Sequence, residues 1–330
     1  MIHPFAYARP TTVDDADARL AEPGATPLGG GTDLVVAIRE ELSRPDTLVD
    51  LARVPGAREL TWQADGGLRI GGAVSVAKLA RERQVRDRFR ALAEACESVG
   101  TPALRTMGTI AGNLCQRPRC WYLRSGIACY KSGGDGCPAA AGENQYHAIL
   151  GGGPCYIVHP SDAAVALTAL EATIEVRGGG RMRRVPIAEF FVLPAQRLEV
   201  ETVLGPGEYV SAIEIPGHSA GGVQGYEKVM QRAGWDFALV SLAAVRREDG
   251  AVRLVLGGVA PIPWRVSESV EEDVASGGLS EDDIATLGER ALYDARPLSK
   301  NGYKVPMAAA VLRRGIRALV AGSASGEAGY

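Results

Sequence analysis

The chain has 330 residues, 46% of them hydrophobic and 23% charged, with 36 Lys and Arg against 39 Asp and Glu for a net charge of −3. At roughly 100–200 residues per domain this suggests about two domains, and the apolar content excludes a disordered chain. The charge balance leaves no basic field to neutralise nucleic-acid phosphates, and no apolar run reaches the roughly 18–20 residues that span a bilayer.

The opening stretch MIHPFAYARPTTVDDADARL has no basic segment followed by an apolar one. The cytoplasm is therefore the default expectation, and the periplasm only by export alongside a signal-bearing partner. Residues 1–55 read as a small βα unit: a strand over Ala25–Leu28, the turn Gly29-Gly30-Gly31-Thr32-Asp33, a helix over Leu34–Leu42 and a strand over Thr47–Leu51. A strand at Leu68–Ile70 follows, then helices over Val76–Arg83, capped by Ser75, and Arg88–Val99. Residues 115–155 lack periodicity, which is uncommon inside a compact domain unless something else orders the segment. Regular pattern returns with a helix capped by Ser161 or Asp162 and running to Leu170. The hairpin Thr173–Arg177 and Arg181–Val185 closes through Gly178-Gly179-Gly180, and a strand spans Tyr209–Ile215. The segment 216–222 reads as a linker. Strands over Ala238–Arg246 and Val252–Val259 and helices over Glu281–Tyr293 and Ala308–Ala321 follow it, with a frayed tail GSASGEAGY.

Two glycine turns stand out. Gly29–Leu34 joins a strand to a helix and lets backbone N–H groups approach a phosphate, although it matches neither the dinucleotide fingerprint nor the P-loop. Thr106–Asn113 combines Gly108 and Gly112 with the hydrogen-bonding Thr109 and Asn113. Each alone passes as a tight packing turn; together they suggest one extended diphosphate cofactor. Five of six cysteines (Cys115, Cys120, Cys129, Cys137 and Cys155) fall in the aperiodic segment. The chain shows no export signal, which disfavours disulfides, and the absence of C-x-x-C disfavours zinc ribbons and bacterial ferredoxin clusters. Four thiolates from a glycine-rich loop suit a [4Fe–4S] cluster, or zinc. Cys96 reads as core, and His147 and His159 as outer neighbours of a metal site. There is no nucleophile elbow, H-E-x-x-H or compact carboxylate pair, so the hard chemistry falls to cofactors.

In this order and spacing, PLGGGTDL (27–34), TMGTIAGNL (106–114), HPSD (159–162), YVSAIEIP (209–216), YEKV (226–229) and RAGWDFALV (232–240) resemble the FAD-binding medium subunit of the xanthine dehydrogenase/molybdenum hydroxylase family. The cysteine loop resembles the branch with a [4Fe–4S] insertion, found in bacterial three-subunit aldehyde oxidoreductases. The resemblance implies an α+β fold. Its FAD-binding domain, of the vanillyl-alcohol-oxidase (PCMH) type, covers 1–218 in two subdomains, 1–55 and 56–218, with the insertion at 115–155. A C-terminal α+β domain of the CO dehydrogenase flavoprotein type covers 219–330.

It further implies a first diphosphate turn of Leu28, Gly29, Gly30, Gly31, Thr32, Asp33 and Leu34, a second of Thr109, Gly112 and Asn113, and a contact at Gly100. Ser161 and Asp162 would hold the ribose or adenine side, Tyr209 and Val210 would line the flavin ring, and Lys228 would reach its polar edge. Cys115 lies beside the second turn, so the cluster ligands are expected at Cys120, Cys129, Cys137 and Cys155. The implied role is an electron-transfer oxidoreductase subunit in a heterotrimer. A large molybdopterin subunit oxidises an aldehyde, a small subunit with [2Fe–2S] clusters relays electrons, and FAD here passes them to an external acceptor. The alternatives are a self-contained flavin oxidoreductase and a non-catalytic subunit with structural zinc.

Overall fold

A computed structural model describes residues 3–232 and 234–322, organised around three sheets. Most of the expected frayed tail, 323–330, lies outside the described residues, as does Ala233 of the RAGWDFALV segment. The first sheet is parallel, with Thr47–Asp50 between Ala6–Ala8 and Ala25–Leu28. Leu48 and Val49 of the central strand are buried. The glycine turn leads from Ala25–Leu28 into a helix that spans Leu34–Arg39, shorter than the pattern suggested. A helix over Val13–Leu20, not among the expected elements, has its start masked by the polar DDAD stretch; Thr12 caps it by accepting from the Asp15 N–H at 3.1 Å.

The second sheet is antiparallel, in the order Leu60–Trp62, Leu68–Gly71, Tyr209–Ile215, Thr173–Gly178, Arg181–Pro186. Helices over Val76–Arg81, Arg83–Arg88 and Arg90–Glu97 cover part of it. The sequence suggested two helices; Glu82 and Phe89 leave the helical conformation and divide the run into three. Cys96 is fully buried on the last of them, as expected for core.

The third sheet is antiparallel, in the order Trp264–Arg265, Val252–Gly257, Val240–Arg246, Val223–Val229. Its inner strand Val240–Arg246 packs on both faces. Alternate side chains face opposite ways. Leu242 and Ala244 join the core beneath the terminal helix Lys304–Ala321. Ala243 and Val245 join the larger core with the helices Arg90–Glu97 and Asp162–Ala169. A sheet buried on both faces couples the two halves of the chain. Within 115–155 the regular structure is one helical turn, Trp121–Arg124, and a 3-10 turn, Pro138–Ala140.

Candidate functional site

The two glycine turns abut each other. A Cβ on Gly30 would collide with the Met107 carbonyl, and one on Gly29 with the Thr109 hydroxyl. Gly30 is therefore small because the second turn leaves it no room. Left-handed backbone belongs to its neighbour Gly31, at φ 73°. The Thr109 hydroxyl also accepts from the Gly112 N–H at 3.2 Å, capping the short helix Ile110–Leu114.

Two clefts share Thr109 and Gly112 in their walls. One, of about 190 Å³, is lined by Leu28, Gly29, Gly112, Tyr209 and Val210. Tyr209 is buried, and its hydroxyl has no hydrogen-bond partner among the described residues. The other, of about 210 Å³, is lined by Thr32, Asp33, Gly100, Asn113, Asp162 and Lys228. Each is smaller than the roughly 300–1,000 Å³ of a typical small-molecule pocket, so a ligand that uses both must be extended. Lys228 thus faces the cleft of Asp162, while Tyr209 and Val210 face the other. The family resemblance implied all three at one flavin ring.

Asp162 is held in place from several sides. Lys228 Nζ lies 2.8 Å from its carboxylate and the Tyr226 hydroxyl donates to it at 2.6 Å. Burial pushes the Asp162 carboxyl upward, against the pull of Lys228. Ser161 caps the helix that follows and donates to Asn113 Oδ1 at 2.5 Å, tying this helix to the second glycine turn. Gln231, Arg232 and Phe237 border a third cavity of about 310 Å³, which shares Asp162 and Arg119 with the second cleft and reaches Cys120, Trp121 and His147.

Asp33 has a role that spacing alone did not reveal. Its carboxylate accepts from the Arg117 N–H at 2.8 Å and pairs with Arg119 at 2.7 Å and Arg124 at 3.0 Å. It clasps the start of the cysteine loop to the first glycine turn. The sequence offered one signal, the three arginines that flank Cys120. Arg119, whose guanidinium lies 5.0 Å from the Phe237 ring, was not among the sequence candidates.

Cys120, Cys129, Cys137 and Cys155 line one small cavity. Cys115 is exposed and borders the Tyr209 cleft instead. The neighbouring Cys155 holds the Cys137 thiol below its ordinary range and is itself pushed up, while burial raises Cys120. His147 Nε2 lies 3.3 Å from Cys120 Sγ. His159 lies elsewhere, with Nε2 donating to the Leu114 carbonyl at 3.2 Å. Among the described residues no three His, Cys, Asp or Glu side chains converge closely enough to hold a single metal ion. Four thiols line the cysteine cavity, of about 10 Å³, and thiolates are the donor type that iron–sulfur clusters take.

Residues 3–218 match the family of the FAD binding domain in molybdopterin dehydrogenase. The chain is 36% identical over 316 residues to the aldehyde oxidoreductase FAD-binding subunit PaoB of Escherichia coli (strain K12), covering 92% of this chain and 94% of that one. It is 25% identical over 331 residues to the carbon monoxide dehydrogenase medium chain of Hydrogenophaga pseudoflava, covering 96% and 98%. A solved carbon monoxide dehydrogenase of that organism superposes with TM-score 0.76 at 24% identity, over 98% of this chain and all of that one. Quinoline 2-oxidoreductase of Pseudomonas putida 86 does so with TM-score 0.76 at 22% identity, over 98% and 99%.

Proposed function

The chain belongs to the family of FAD-binding domains of molybdopterin dehydrogenases, and from that premise we propose that it is the FAD and [4Fe–4S] electron-transfer subunit of a molybdenum-dependent aldehyde oxidoreductase. The α+β fold is that of carbon monoxide dehydrogenase flavoprotein subunits, and the relatives are subunits of oxidoreductases. No helix among the described residues is long and apolar enough to cross a membrane. Identity to PaoB favours an aldehyde as the substrate class, oxidised on a partner chain. We propose two partners, a large molybdopterin subunit and a small [2Fe–2S] subunit, and a working division of the chain at 218/219.

The observation that carries the reading is the junction of two clefts at the abutting glycine turns, beside a cavity ringed by four cysteines. FAD, when bound, accepts electrons singly and releases them in pairs, and a [4Fe–4S] cluster carries them one at a time. Gly29 to Gly31, Thr109, Gly112 and Asn113 would leave room for the diphosphate at the junction. The ring end belongs in the Asp162–Lys228 cleft on this reading, because that cleft continues into the cavity beside Cys120. The adenosine end then lies with Tyr209 and Val210, the reverse of the sequence expectation for that pair. The Asp162–Lys228 pair presents both a cation and a carboxylate at the ring's polar edge without net charge.

Purified alone, the chain should bind flavin but oxidise no aldehyde. Co-expressed with neighbouring reading frames, it should elute in a larger complex that does. Turnover by the isolated chain would instead support a self-contained flavin enzyme.

A further inference from the structure

Lys304 begins the terminal helix and is 1% exposed. Its ammonium donates to the carbonyls of Tyr146, His147 and Gly258 at 3.1, 3.2 and 2.8 Å. No carboxylate pairs with it among the described residues. Burial alone lowers it to about 7. A buried ammonium is costly unless something offsets its charge. The other deeply buried lysine of the region, Lys131, lies on the wall of the cysteine cavity and has its carboxylate, Glu201, at 2.9 Å.

The bonds of Lys304 belong to a larger clamp. Asn301 Nδ2 donates to the His147 and Ala148 carbonyls, both at 3.1 Å. The Tyr303 hydroxyl donates to the Gln145 carbonyl at 2.8 Å, and the Arg296 N–H to the Ile149 carbonyl at 2.7 Å. The return leg of the cysteine loop is thus fixed, residue after residue, to the turn before the last helix. His147, whose carbonyl Lys304 and Asn301 share, places its ring against Cys120 Sγ.

We propose that Lys304 is the positioning residue of the cysteine cavity: it fixes the Tyr146–His147 backbone, and through it the His147 ring against Cys120, and its charge favours an anionic iron–sulfur cluster held by the four thiolates. This rests on the cluster reading of the previous subsection. A four-thiolate cluster is net negative, so it would offset the buried ammonium, and the ammonium would favour the reduced cluster, which carries one more negative charge.

The test compares wild type, Lys304→Arg, Lys304→Met and His147→Gln, each as the full chain purified anaerobically with its co-expressed partner chains. Iron, sulfide, flavin and the cluster's reduction potential by EPR-monitored titration are measured. Lys304→Met should lower the potential or lose iron while keeping flavin. Lys304→Arg should restore wild-type iron and potential. His147→Gln should shift the cluster's EPR signal at unchanged flavin content. Wild-type iron, potential and EPR signal in both Lys304→Met and His147→Gln would overturn the proposal. If Lys304→Met fails to fold, His147→Gln decides: an unchanged signal overturns the proposal. Wild type without iron would overturn the cluster reading itself, a result no Lys304 variant can imitate.

Discussion

At the residue scale, the sharpest constraint is the contact between Gly30 and the Met107 carbonyl. A β-branched side chain there has nowhere to go, so Gly30→Val must push the two turns apart. Bound flavin in the purified protein should fall several-fold. The far-UV spectrum should stay close to that of wild type, because the collision lies between two turns and not within a sheet. Full flavin occupancy in Gly30→Val would separate these turns from the cofactor. His159 gives a second test at this scale. Burial lowers it to about 4, against 6.5 for a free imidazole, so it stays neutral in the folded chain when the unfolded chain is already protonated. The stability this contributes is present above pH 6.5 and is lost as the pH falls toward 4. At 1.36 kcal/mol per unit the loss is on the order of 3 kcal/mol. Urea melts from pH 7 to 4 should show a steep decline in wild type and a shallower one in His159→Gln. Parallel declines would exclude His159 as the cause.

At the element scale, the cysteine loop is short of regular structure, and its order comes from what it touches. Asp33 clasps its entry through three arginines, and the clamp at 296–304 holds its return leg. Between these anchors, Cys129 sits in a tight turn where the Tyr130 N–H donates to the Gly136 carbonyl at 3.1 Å and the Gly134 N–H to the Cys129 carbonyl at 2.9 Å. Ligand loss should therefore free the middle of the loop while its ends stay attached. Cys129→Ser should lose most iron and sulfide and become sensitive to protease between 120 and 155. Cys115→Ser should keep both, since Cys115 lies outside the cavity. The opposite pattern would place Cys115 among the ligands, and zinc in both variants would replace the cluster with a structural ion.

At the scale of the whole molecule, the sequence was legible where periodicity met burial and silent where partners lie far apart along the chain. Tyr209–Ile215 is found with the bounds its alternation suggested, and Ala25–Leu28 likewise, because each pairs with neighbouring strands in a sheet, with one irregularity at Ser211. Val223–Val229 was missed because it buries Gln224 and Gly225 beside Tyr226, a pattern that does not alternate by polarity. Crowding of cysteines revealed which part of the chain to inspect. The Asp33 clasp showed only as the arginines around Cys120, and Lys304 not at all, because its partners are backbone carbonyls that carry no signature in the sequence.

The third sheet is buried on two faces, against a core from each half of the chain. FAD and cluster are measured together on one anaerobic preparation of the intact complex. FAD, iron and sulfide are quantified for this chain, and its cluster is followed by EPR during dithionite titration. Expected are one FAD per chain, iron and sulfide in the ratio fixed by a [4Fe–4S] formula beyond what the partner clusters supply, and a separate [4Fe–4S] signal that Cys129→Ser abolishes. Flavin with no iron assignable to this chain would contradict that expectation.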